Sequence, residues 1–360
     1  MKLAFVNFYS GFAERGGETF VDSLATELAI KNEVFLFQAG NLTKKPYTIF
    51  SQKVNLNLNH SHGNLSTTNI LKRLFLDYYS LKILWFTLKI IPKIIKLKPD
   101  YIYPLNSGWQ IFLLTLVSRI IGTKVIIGGH SGPGWNDRVN LLFHPDIFVA
   151  LTKTQADWAK KATIWNNQKI VVIPNGVDTN VFSPKGGKRA INLEKPIVLA
   201  VGAATKSKRL SDTIRAVAAL KNTSLLICGT GPEEKEEDLL GVNLLGNRYR
   251  RLKVGHSDMP SIYRSTDVFT LCSDSSEAFG IVYLEALASG LPCVVTDDPS
   301  RHEILGETGV FVKNPGDDKE YSEKIKLALQ QKFSEKYLKQ SSKYSWKNVA
   351  NQYEKILDKK

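Results

Sequence analysis

Two glutamates, Glu277 and Glu285, lie eight residues apart where an apolar strand gives way to an apolar helix. From residue 278 to residue 296, Glu285 is the only charged residue. Burying a lone carboxylate costs free energy unless hydrogen bonds satisfy it, and the hydroxyl groups of a sugar or ribose are suitable donors. A nearby backbone group or an arginine could also satisfy it. The proximity of Glu277 and the glycine at the helix entry, Gly280, favour the ligand hypothesis.

Cations follow a second apolar strand, in a segment that begins at Gly202 and ends with Lys208 and Arg209. Cations at the carboxyl edge of a parallel sheet could hold a diphosphate. The alternative is a solvated surface cluster, which is the commoner role of lysine and arginine. Another glycine-rich turn, containing Gly229 and Gly231, follows the next strand along the chain.

Gly16 and Gly17 fall in a turn, residues 11–18, between the first strand and a helix predicted over 19–30. Glycines in such a turn let backbone N–H groups approach a ligand, and the helix N-terminus favours an anion. An ordinary strand-to-helix turn is the alternative, because the dinucleotide-binding spacing G-x-G-x-x-G is absent. His130 follows another strand among glycines, where it could reach an open cleft or could serve only to build a turn.

The composition fits a folded chain of about two domains, since 360 residues exceed the ~150 of a typical domain. Hydrophobic residues make up 43% of the chain, which excludes a mainly disordered or fibrous protein. Lys and Arg number 48 against 34 Asp and Glu, and the net charge of +14 favours an anionic partner. No basic face with interleaved stacking aromatics is found, so nucleic acid is not the expected partner.

Several other chemistries are excluded by the motifs. Three cysteines, Cys228, Cys272 and Cys293, lie in apolar runs and are interpreted as reduced core residues. The histidines lack metal-ligand spacing, and HExxH, CxxC, GxSxG and Walker A motifs are absent, so no metal site is expected. Met1 leads directly into a strand without a cleavage site, and no apolar window is long enough to span a membrane. The sequence therefore predicts a cytoplasmic protein that could lie at the inner face of the membrane.

Short β-type runs alternate with helical runs along most of the chain. Continuous apolar strands separated by helices are typical of parallel sheets covered on both faces. Two such series predict two doubly wound α/β domains joined by a linker at 174–196, which is rich in Pro and Gly. An amphipathic helix containing Trp346 is predicted at the end of the chain. The predicted strands are Leu3–Phe8, Val34–Gln38, Tyr101–Tyr103, Lys124–Gly128, Ile147–Leu151, Ile170–Ile173, Ile197–Val201, Ser224–Cys228, Leu252–Val254, Val268–Cys272, Cys293–Thr296 and Val310–Val312.

One predicted helix carries a basic stripe, because four lysines spaced 7, 4 and 3 residues apart fall within roughly 60° of its circumference. Such a helix could rest on an anionic membrane surface while Trp85 or Phe86 enters it. The alternative is a helix packed on the sheet with a solvated lysine edge. The four lysines are Lys82, Lys89, Lys93 and Lys96.

Taken together, these segments resemble the family 4 glycosyltransferases (glycosyl transferases group 1), and the resemblance covers nearly the whole chain. The most specific stretch runs from Glu277 to Glu285 and looks like the E-x7-E signature of that family. The order and spacing of weaker pieces add specificity. These pieces are Gly16-Gly17-Glu18, Ile173 to Asp178, Gly202 with Lys208, Gly229 to Pro232 and Gly255 to Asp267.

The resemblance implies the GT-B fold, in which two Rossmann-like domains face each other across a cleft. Residues 1–180 would bind the acceptor and 190–343 the nucleotide sugar, with the helix 344–360 crossing back to the first domain. The implied enzyme is a retaining hexosyltransferase of polysaccharide biosynthesis. It would use a nucleotide-diphosphate sugar, a glycan or lipid-linked acceptor, and no cofactor or metal ion.

The resemblance also implies roles for individual side chains. Glu277 would face the donor sugar, Glu285 would accept hydrogen bonds from the ribose, and Lys208 would hold the diphosphate. The implied catalytic residues are Glu277, His130 and Lys208. The implied donor-binding residues are Gly16, Gly17, Gly202, Lys208, Arg209, Gly229, Gly231, Phe279, Gly280, Ile281 and Glu285.

One position departs from the pattern of the family, which usually has Arg directly after the glycine that matches Gly202. Here that residue is Ala203, and the missing cation weakens diphosphate binding unless Lys206 or Arg209 replaces it. Two other hypotheses stay open: a nucleotide-sugar 2-epimerase, which shares the fold, and a non-catalytic binder of nucleotide sugars or polyanions, which Ala203 supports. Epimerisation or hydrolysis of the donor without any acceptor would identify the epimerase.

Overall fold

A computed structural model describes residues 1–12, 16–54, 70–331 and 333–357 of the chain. These residues divide into two compact units. The first takes its described residues from Met1–Asn59, Leu65–Asn175 and Trp346–Lys360, and the second runs over Gly176–Ser345. The strands are β1 Lys2–Asn7, β2 Glu33–Gln38, β3 Thr48–Ser51, β4 Tyr101–Pro104, β5 Lys124–Gly128, β6 Ile147–Ala150, β7 Lys169–Val172, β8 Ile197–Val201, β9 Ser224–Cys228, β10 Tyr249–Leu252, β11 Val268–Leu271, β12 Cys293–Thr296 and β13 Gly309–Val312.

Helices separate most of these strands, as the alternating pattern predicts. Short 3-10 turns lie at Lys206–Lys208, Gly246–Arg248, His256–Asp258 and Gly306–Thr308. The α-helices are α1 Gly16–Leu28, α2 Ile70–Arg73, α3 Tyr78–Leu97, α4 Trp109–Ile121, α5 Trp135–Leu142, α6 Lys153–Ala162, α7 Leu210–Ala218, α8 Glu234–Leu245, α9 Met259–Tyr263, α10 Ile281–Ala288, α11 Pro299–Leu305, α12 Asp318–Gln330, α13 Glu335–Ser342 and α14 Trp346–Ile356.

The sheet of the first unit has the order β3-β2-β1-β4-β5-β6-β7, and its paired strands are parallel. In β1 and β2 every residue after the first is buried, as expected of strands covered on both faces. On one face, the buried side of α3 contributes Ile83, Phe86, Ile90 and Ile94 to a core with residues of β1 and β2.

The sheet of the second unit has the order β10-β9-β8-β11-β12-β13, again with parallel pairs. The central strands β8 and β11 are almost entirely buried. The structure thus confirms the predicted fold class, since each unit is a doubly wound α/β sheet. Cys228, Cys272 and Cys293 are buried and free, as expected of core residues.

Two edge strands depart from the sequence prediction. β3 has no predicted counterpart, and β10 begins three residues before the predicted Leu252–Val254 and shares only Leu252 with it. Both strands are half-exposed along their length, and β10 contains Arg250 and Arg251. An edge strand needs less apolar surface than a central one, so a search for continuous apolar runs misses it.

The last helix, α14, packs against α1 within the first unit. The rings of Trp346 and Phe20 lie 5.8 Å apart, and the hydroxyls of Tyr353 and Tyr103 are 3.1 Å apart. The helix is shorter than the predicted 344–360, because Tyr344 and Ser345 precede it in a turn and bridge, and 358–360 lie outside the described residues.

Helix α3 packs on the sheet, as the second interpretation of its lysine stripe predicts, and the membrane contact stays a prediction. It also leaves Leu81, Trp85 and Leu88 exposed beside the lysines. Phe86 is completely buried, so the expectation that it could enter a membrane is wrong. Among the described residues, no helix combines the length and apolar character that a membrane crossing requires.

Candidate functional site

The candidate site lies where the strand order of the second sheet reverses, between β8 and β11. From β8 the chain proceeds to β9 on one side, and from β11 it proceeds to β12 on the other. In open α/β sheets, ligands bind outside the carboxyl ends of the strands at such a switch point. The turns that follow β8 and β11 carry Lys208 and Glu277, respectively.

Lys208 and Glu277 form an ion pair at this edge. Their side chains are 23% and 12% exposed, so the pair is shielded but reachable. The Asp274 N–H donates to the Ser207 carbonyl at 2.8 Å, which ties the two turns together. The structure therefore brings two of the three sequence-predicted catalytic residues into direct contact.

A buried arginine that the sequence analysis missed supports the Glu277 turn. Arg301 is 2% exposed and forms an ion pair with Asp298. Its Nη2 donates to Ser273 Oγ at 2.7 Å and to the Asp274 carbonyl at 3.0 Å. One sequence signal could have identified this arginine. Asp298 followed by Pro299 is typical of a helix start, and an arginine three residues later can form an ion pair with the capping aspartate.

Glu285 is buried within α10, as its apolar surroundings predict, with 3% of the residue exposed. His256 Nε2 lies 2.8 Å from one carboxylate oxygen, and the Tyr263 hydroxyl donates to the other at 2.9 Å. The partners are thus a histidine and a tyrosine, neither of which sequence reasoning identified. Burial first and the Glu285 charge second raise the pKa of Tyr263 well above its usual value, so Tyr263 stays protonated as a donor. A carboxylate has about four acceptor positions, which leaves room for ribose hydroxyls.

Close backbone packing explains the glycines of the 229–231 turn. Gly229 has a φ of +137°, and a Cβ there would lie 2.0 Å from the Gly202 carbonyl oxygen. A Cβ on Gly231 would lie 2.5 Å from the Ala204 carbonyl oxygen, and the Ala204 N–H donates to Thr230. These glycines therefore hold the turn after β9 against the turn after β8, and their contact with a donor stays a prediction.

The entry to α10 brings Phe279, Gly280 and Ile281 to the same edge. Gly280 has a φ of +78°, and a Cβ there would lie 2.2 Å from the ring of Tyr283, so another residue would be strained. No described side chain caps the first turn of α10. Backbone N–H groups at a helix N-terminus suit an anion.

Arg209 and Ala203 show how much positive charge the edge presents. Arg209 has a φ of +53°, in the region that favours glycine, and its Nε donates to Asp212 Oδ2 at 2.7 Å. Asp212 also pairs with Arg215, so Arg209 belongs to a local ion-pair cluster. Ala203 is exposed and adds no charge.

The predicted residues of the first unit are described separately. Gly16 and Gly17 open α1, and apart from their chain neighbours and the backbone of α1, no described atom lies within 4 Å of the position a Cβ would take on either. Residues 13–15 of the same predicted turn lie outside the described residues. His130 follows β5, where its ring centroid is 4.1 Å from that of Phe20 and its Nε2 is 3.4 Å from the Tyr103 hydroxyl.

Burial controls the charge of His130 and of Asp137, which lies near it. It lowers the pKa of His130 to about 4, so the imidazole is neutral near pH 7. It raises the pKa of Asp137 to about 8, although the N–H groups of Ser131 and Gly132 donate to that carboxylate. Asp137 therefore fixes the turn that contains His130. No described group of His, Cys, Asp and Glu residues could hold a metal ion.

Comparison with known families gives the same assignment as the motifs. Residues 15–181 match the family described as Glycosyltransferase Family 4, and residues 184–345 match Glycosyl transferases group 1. The chain belongs to the family 4, group 1 glycosyltransferases. This family 4 chain is 23% identical over 299 residues to sulfoquinovosyl transferase SQD2 of Arabidopsis thaliana, an alignment covering 72% of this chain and 56% of SQD2.

Other relatives are similar over shorter stretches. The family 4 chain is 26% identical to the putative glycosyltransferase EpsF of Bacillus subtilis, covering 53% of this chain and 56% of EpsF. It is 31% identical to mannosylfructose-phosphate synthase of Agrobacterium fabrum, covering 42% of this chain and 37% of that protein. The chain thus spans about half the length of the curated relatives it matches.

Solved structures confirm the GT-B fold of this family 4 chain. HepE of Anabaena, solved with UDP and glucose, has a TM-score of 0.76 at 18% identity, with 99% of both chains covered. Sucrose-phosphate synthase from Thermosynechococcus elongatus has a TM-score of 0.77 at 18% identity, covering 99% of this chain and 98% of that chain.

Proposed function

We propose that this protein transfers a sugar from a nucleotide-diphosphate sugar to a hydroxyl group of an acceptor, and that the second unit holds the donor. The observation that carries the proposal is the Lys208–Glu277 pair at the switch point between β8 and β11. A shielded cation there suits a diphosphate, and an adjacent carboxylate suits a sugar.

The chemistry follows from the charges that develop in the reaction. As the bond between sugar and diphosphate breaks, the leaving group becomes more anionic and the sugar carbon more cationic. Lys208 and the N-terminal amides of α10 stabilise the first change without any metal ion, and Glu277 stabilises the second. We propose that the acceptor hydroxyl attacks on the face that the diphosphate leaves and gives its proton to the departing phosphate. This route retains the anomeric configuration.

Glu285 and His130 have secondary roles in this proposal. Glu285, fixed by His256 and Tyr263, accepts hydrogen bonds from the ribose. His130, neutral because of its lowered pKa, offers a ring nitrogen to an acceptor hydroxyl or donor sugar. Gly16, Gly17 and Arg209 stay proposed donor contacts.

Relatives indicate which donors to test first. HepE has been solved with UDP-glucose, and SQD2 is a sulfoquinovosyl transferase. Uridine diphosphate hexoses are therefore the first candidates, and a hexosyltransferase is the expected class.

We also propose a glycan or lipid-linked acceptor, used at the cytoplasmic face of a membrane. The support is on α3, where exposed Leu81, Trp85 and Leu88 lie beside Lys82 and Lys89. Lys93 and Lys96 extend the same basic stripe. An apolar row beside lysines suits an anionic lipid surface. Polysaccharide biosynthesis would be the setting for such an acceptor.

The test is a panel of nucleotide sugars, assayed for nucleotide diphosphate release with and without lipid-linked acceptors. We expect release to need an acceptor, and Lys208→Ala or Glu277→Ala to lower kcat by about 10²–10³-fold. Lys221→Ala, at an exposed lysine just before β9 and so at the opposite end of the strands, is the matched control.

Other results would point to the remaining hypotheses. Acceptor-free epimerisation would identify a 2-epimerase. Tight donor binding without turnover would identify a non-catalytic binder, which the absence of a cation at Ala203 keeps open. A trapped glycosyl-enzyme adduct would refute the attack on the departing face.

A further inference from the structure

A cavity of about 500 Å³ opens beside α3 in the first unit. Its volume is within the ~300–1,000 Å³ typical of small-molecule sites. Residues that follow β1, β2 and β3 form one side, and α3 forms the other. The described residues that line it include three lysines and no acid. They are Phe12, Ala39, Asn41, Lys53, Val54, Lys82, Trp85 and Lys89.

The three lysines leave the cavity with uncompensated positive charge. Lys82 and Lys89 are two helical turns apart on one face of α3, and Lys53 approaches from the end of β3. None of them pairs with a carboxylate among the described residues. The Lys89 Nζ instead lies 4.7 Å from the ring centroid of Trp85. Cations focused in a concave site attract an anion, and phosphate is a common ligand of lysine.

A second cavity, of about 450 Å³, adjoins the first and is mainly apolar. Tyr78, Leu81, Lys82 and Trp85 line it, so the two cavities share Lys82 and Trp85. Trp85 is 54% exposed and Leu81 is 46% exposed, which is unusual for large apolar side chains. An occupant of both cavities would place an anionic group among lysines and an apolar group against Trp85.

The wall opposite α3 is fixed by hydrogen bonds within the chain. Gln38 Nε2 donates to the Asn41 carbonyl at 2.5 Å, and Ser51 Oγ donates to the Gly40 carbonyl at 2.6 Å. The Gly40 N–H donates to Ser10 at 3.1 Å, and a Cβ on Gly40 would lie 2.3 Å from Gly11. These hydrogen bonds hold the backbone of this wall in place without a ligand, which lowers the entropic cost of ordering it on binding.

We propose that the two cavities form one binding site for a phosphate-bearing lipid. The phosphate lies among Lys53, Lys82 and Lys89, and the hydrocarbon chain lies against Leu81 and Trp85. A lipid phosphate is favoured over a free phosphate because the apolar cavity adjoins the basic one. Residues 70–98 carry seven Lys and Arg against a single acid, Asp77, so the surrounding charge is also complementary to an anionic lipid.

The proposal deepens the membrane contact of the proposed function and rests on it, but it does not depend on sugar transfer. It also divides the lysine stripe. Lys82 and Lys89 belong to the site, whereas Lys93 and Lys96 are not among its described lining residues. Lys53 joins the site although nothing in the sequence marks it, because it follows β3, the strand that sequence reasoning missed.

Flotation of the full chain on phosphatidylcholine vesicles, with and without phosphatidic acid, tests the site. A lysine near an anionic surface is worth about fivefold in partitioning, so reversal to glutamate is expected to cost about tenfold or more. Lys53→Glu, Lys82→Glu and Lys89→Glu are expected to show that loss. Lys93→Glu and Lys96→Glu make the same charge change on the stripe but outside the cavity, so they weaken only the diffuse attraction to the bilayer, and a smaller loss of about fivefold or less is expected. Equal losses from all five variants would overturn the proposal in favour of diffuse attraction.

A soluble probe separates the lipid from the free anion. Dihexanoyl phosphatidic acid is expected to change tryptophan fluorescence saturably, and Trp85→Phe is expected to abolish that change. Hexanoate and inorganic phosphate are each expected to bind about tenfold or more weakly, because each fills one cavity. Equally tight binding of inorganic phosphate, or no saturable binding of any probe, would disprove the lipid site. Nucleotide diphosphate release, measured in parallel on the same preparation, shows separately whether the proposed transferase fails.

Discussion

The strand order reverses once in each sheet, between β1 and β4 in the first unit and between β8 and β11 in the second. In the second unit, Lys208 and Glu277 stand at this edge above the buried Arg301. In the first unit, the corresponding turns are joined by amides. Asn106 Oδ1 accepts from the Phe8 N–H at 2.8 Å, and Gln110 Oε1 accepts from the Asn106 N–H at 3.0 Å.

The difference shows how one topology can present two chemically different edges. A charged edge suits a diphosphate, whereas an amide edge suits the hydroxyl groups of an acceptor. Gln110 Nε2 and Asn140 Oδ1 are buried without a hydrogen-bond partner among the described residues. The side chains that join these turns in the first unit are therefore neutral amides, in line with the proposed division between donor and acceptor.

The largest expected effect comes from removing the buried charge of Arg301, which supports the Glu277 turn at the carboxyl edge of the second sheet. Arg301→Met leaves Asp298 unpaired and the Ser273 turn without its donor, and we expect a loss of about 3–5 kcal/mol in the free energy of unfolding. Arg301→Lys keeps the charge and should lose less. Urea unfolding followed by far-UV circular dichroism measures the effect.

The tryptophans provide an internal control for this experiment. All six, at positions 85, 109, 135, 158, 165 and 346, belong to the first unit. If the two edges are independent, Arg301→Met should shift the circular dichroism transition much more than the tryptophan fluorescence transition. A change of less than about 1 kcal/mol would show that Arg301 is not needed beneath the Glu277 turn.

The next effect concerns the buried carboxylate of the second unit. Glu285→Gln replaces a two-oxygen acceptor with an amide that cannot accept from His256, Tyr263 and ribose together. We expect the donor KM to rise about tenfold or more, with a smaller change in kcat. Tyr263→Phe keeps the carboxylate and removes only one donor, so it is the matched control. Similar KM values for Glu285→Gln and the unchanged protein would remove Glu285 from the donor site.

A third test asks whether His130, which follows β5 in the first unit, stays uncharged. Burial lowers the pKa of His130 to about 4, against 6.5 ordinarily. The unfolded chain therefore binds the proton more readily, and folding stability is lost as pH falls from about 6.5 towards 4. Because the ring is partly accessible, we expect a loss of about 1 kcal/mol between pH 7 and pH 5.

Tryptophan fluorescence during urea unfolding measures this loss in the first unit. His130→Gln cannot take up the proton, so its stability should change less between the two pH values. An equal change in both proteins would assign the pH dependence to other groups and would leave the charge of His130 open.

The sequence predicts the fold and the E-x7-E segment well, for physical reasons. The central strands are continuous apolar runs, and Glu285, in α10, is the only charged residue from 278 to 296, so the sequence shows both the buried segments and the one carboxylate buried with them. Lys208 and Glu277 are 69 residues apart, yet both follow predicted strands, and parallel strands bring their carboxyl ends to one edge.

Side-chain contacts between residues far apart in the sequence cannot be predicted from apolar runs and motifs. His256, Tyr263 and Arg301 reach the site through tertiary packing. Their local sequence, the stretch 255–267 and the Asp298-Pro299 helix start, does not show which distant groups they contact. The sequence identifies the glycines at 229 and 231, but it does not show why glycine is needed there. Only the structure shows that they pack against the turn after β8. The half-exposed β3 was not predicted because it lacks a continuous apolar run. Lys53, which follows β3, was therefore not predicted as a site residue either.

The smallest expected effect comes from adding a charge to the second edge. Ala203 is exposed directly after Gly202, so the position at which the family usually has an arginine carries no charge here, and the nearby Arg209 already binds Asp212. Ala203→Arg should lower the donor KM by about threefold and change the free energy of unfolding by less than about 0.5 kcal/mol. Ala203→Gln, similar in reach but neutral, is the control. If both variants lower KM equally, charge is not what the edge lacks, whereas a gain confined to arginine would show that the diphosphate passes close to residue 203.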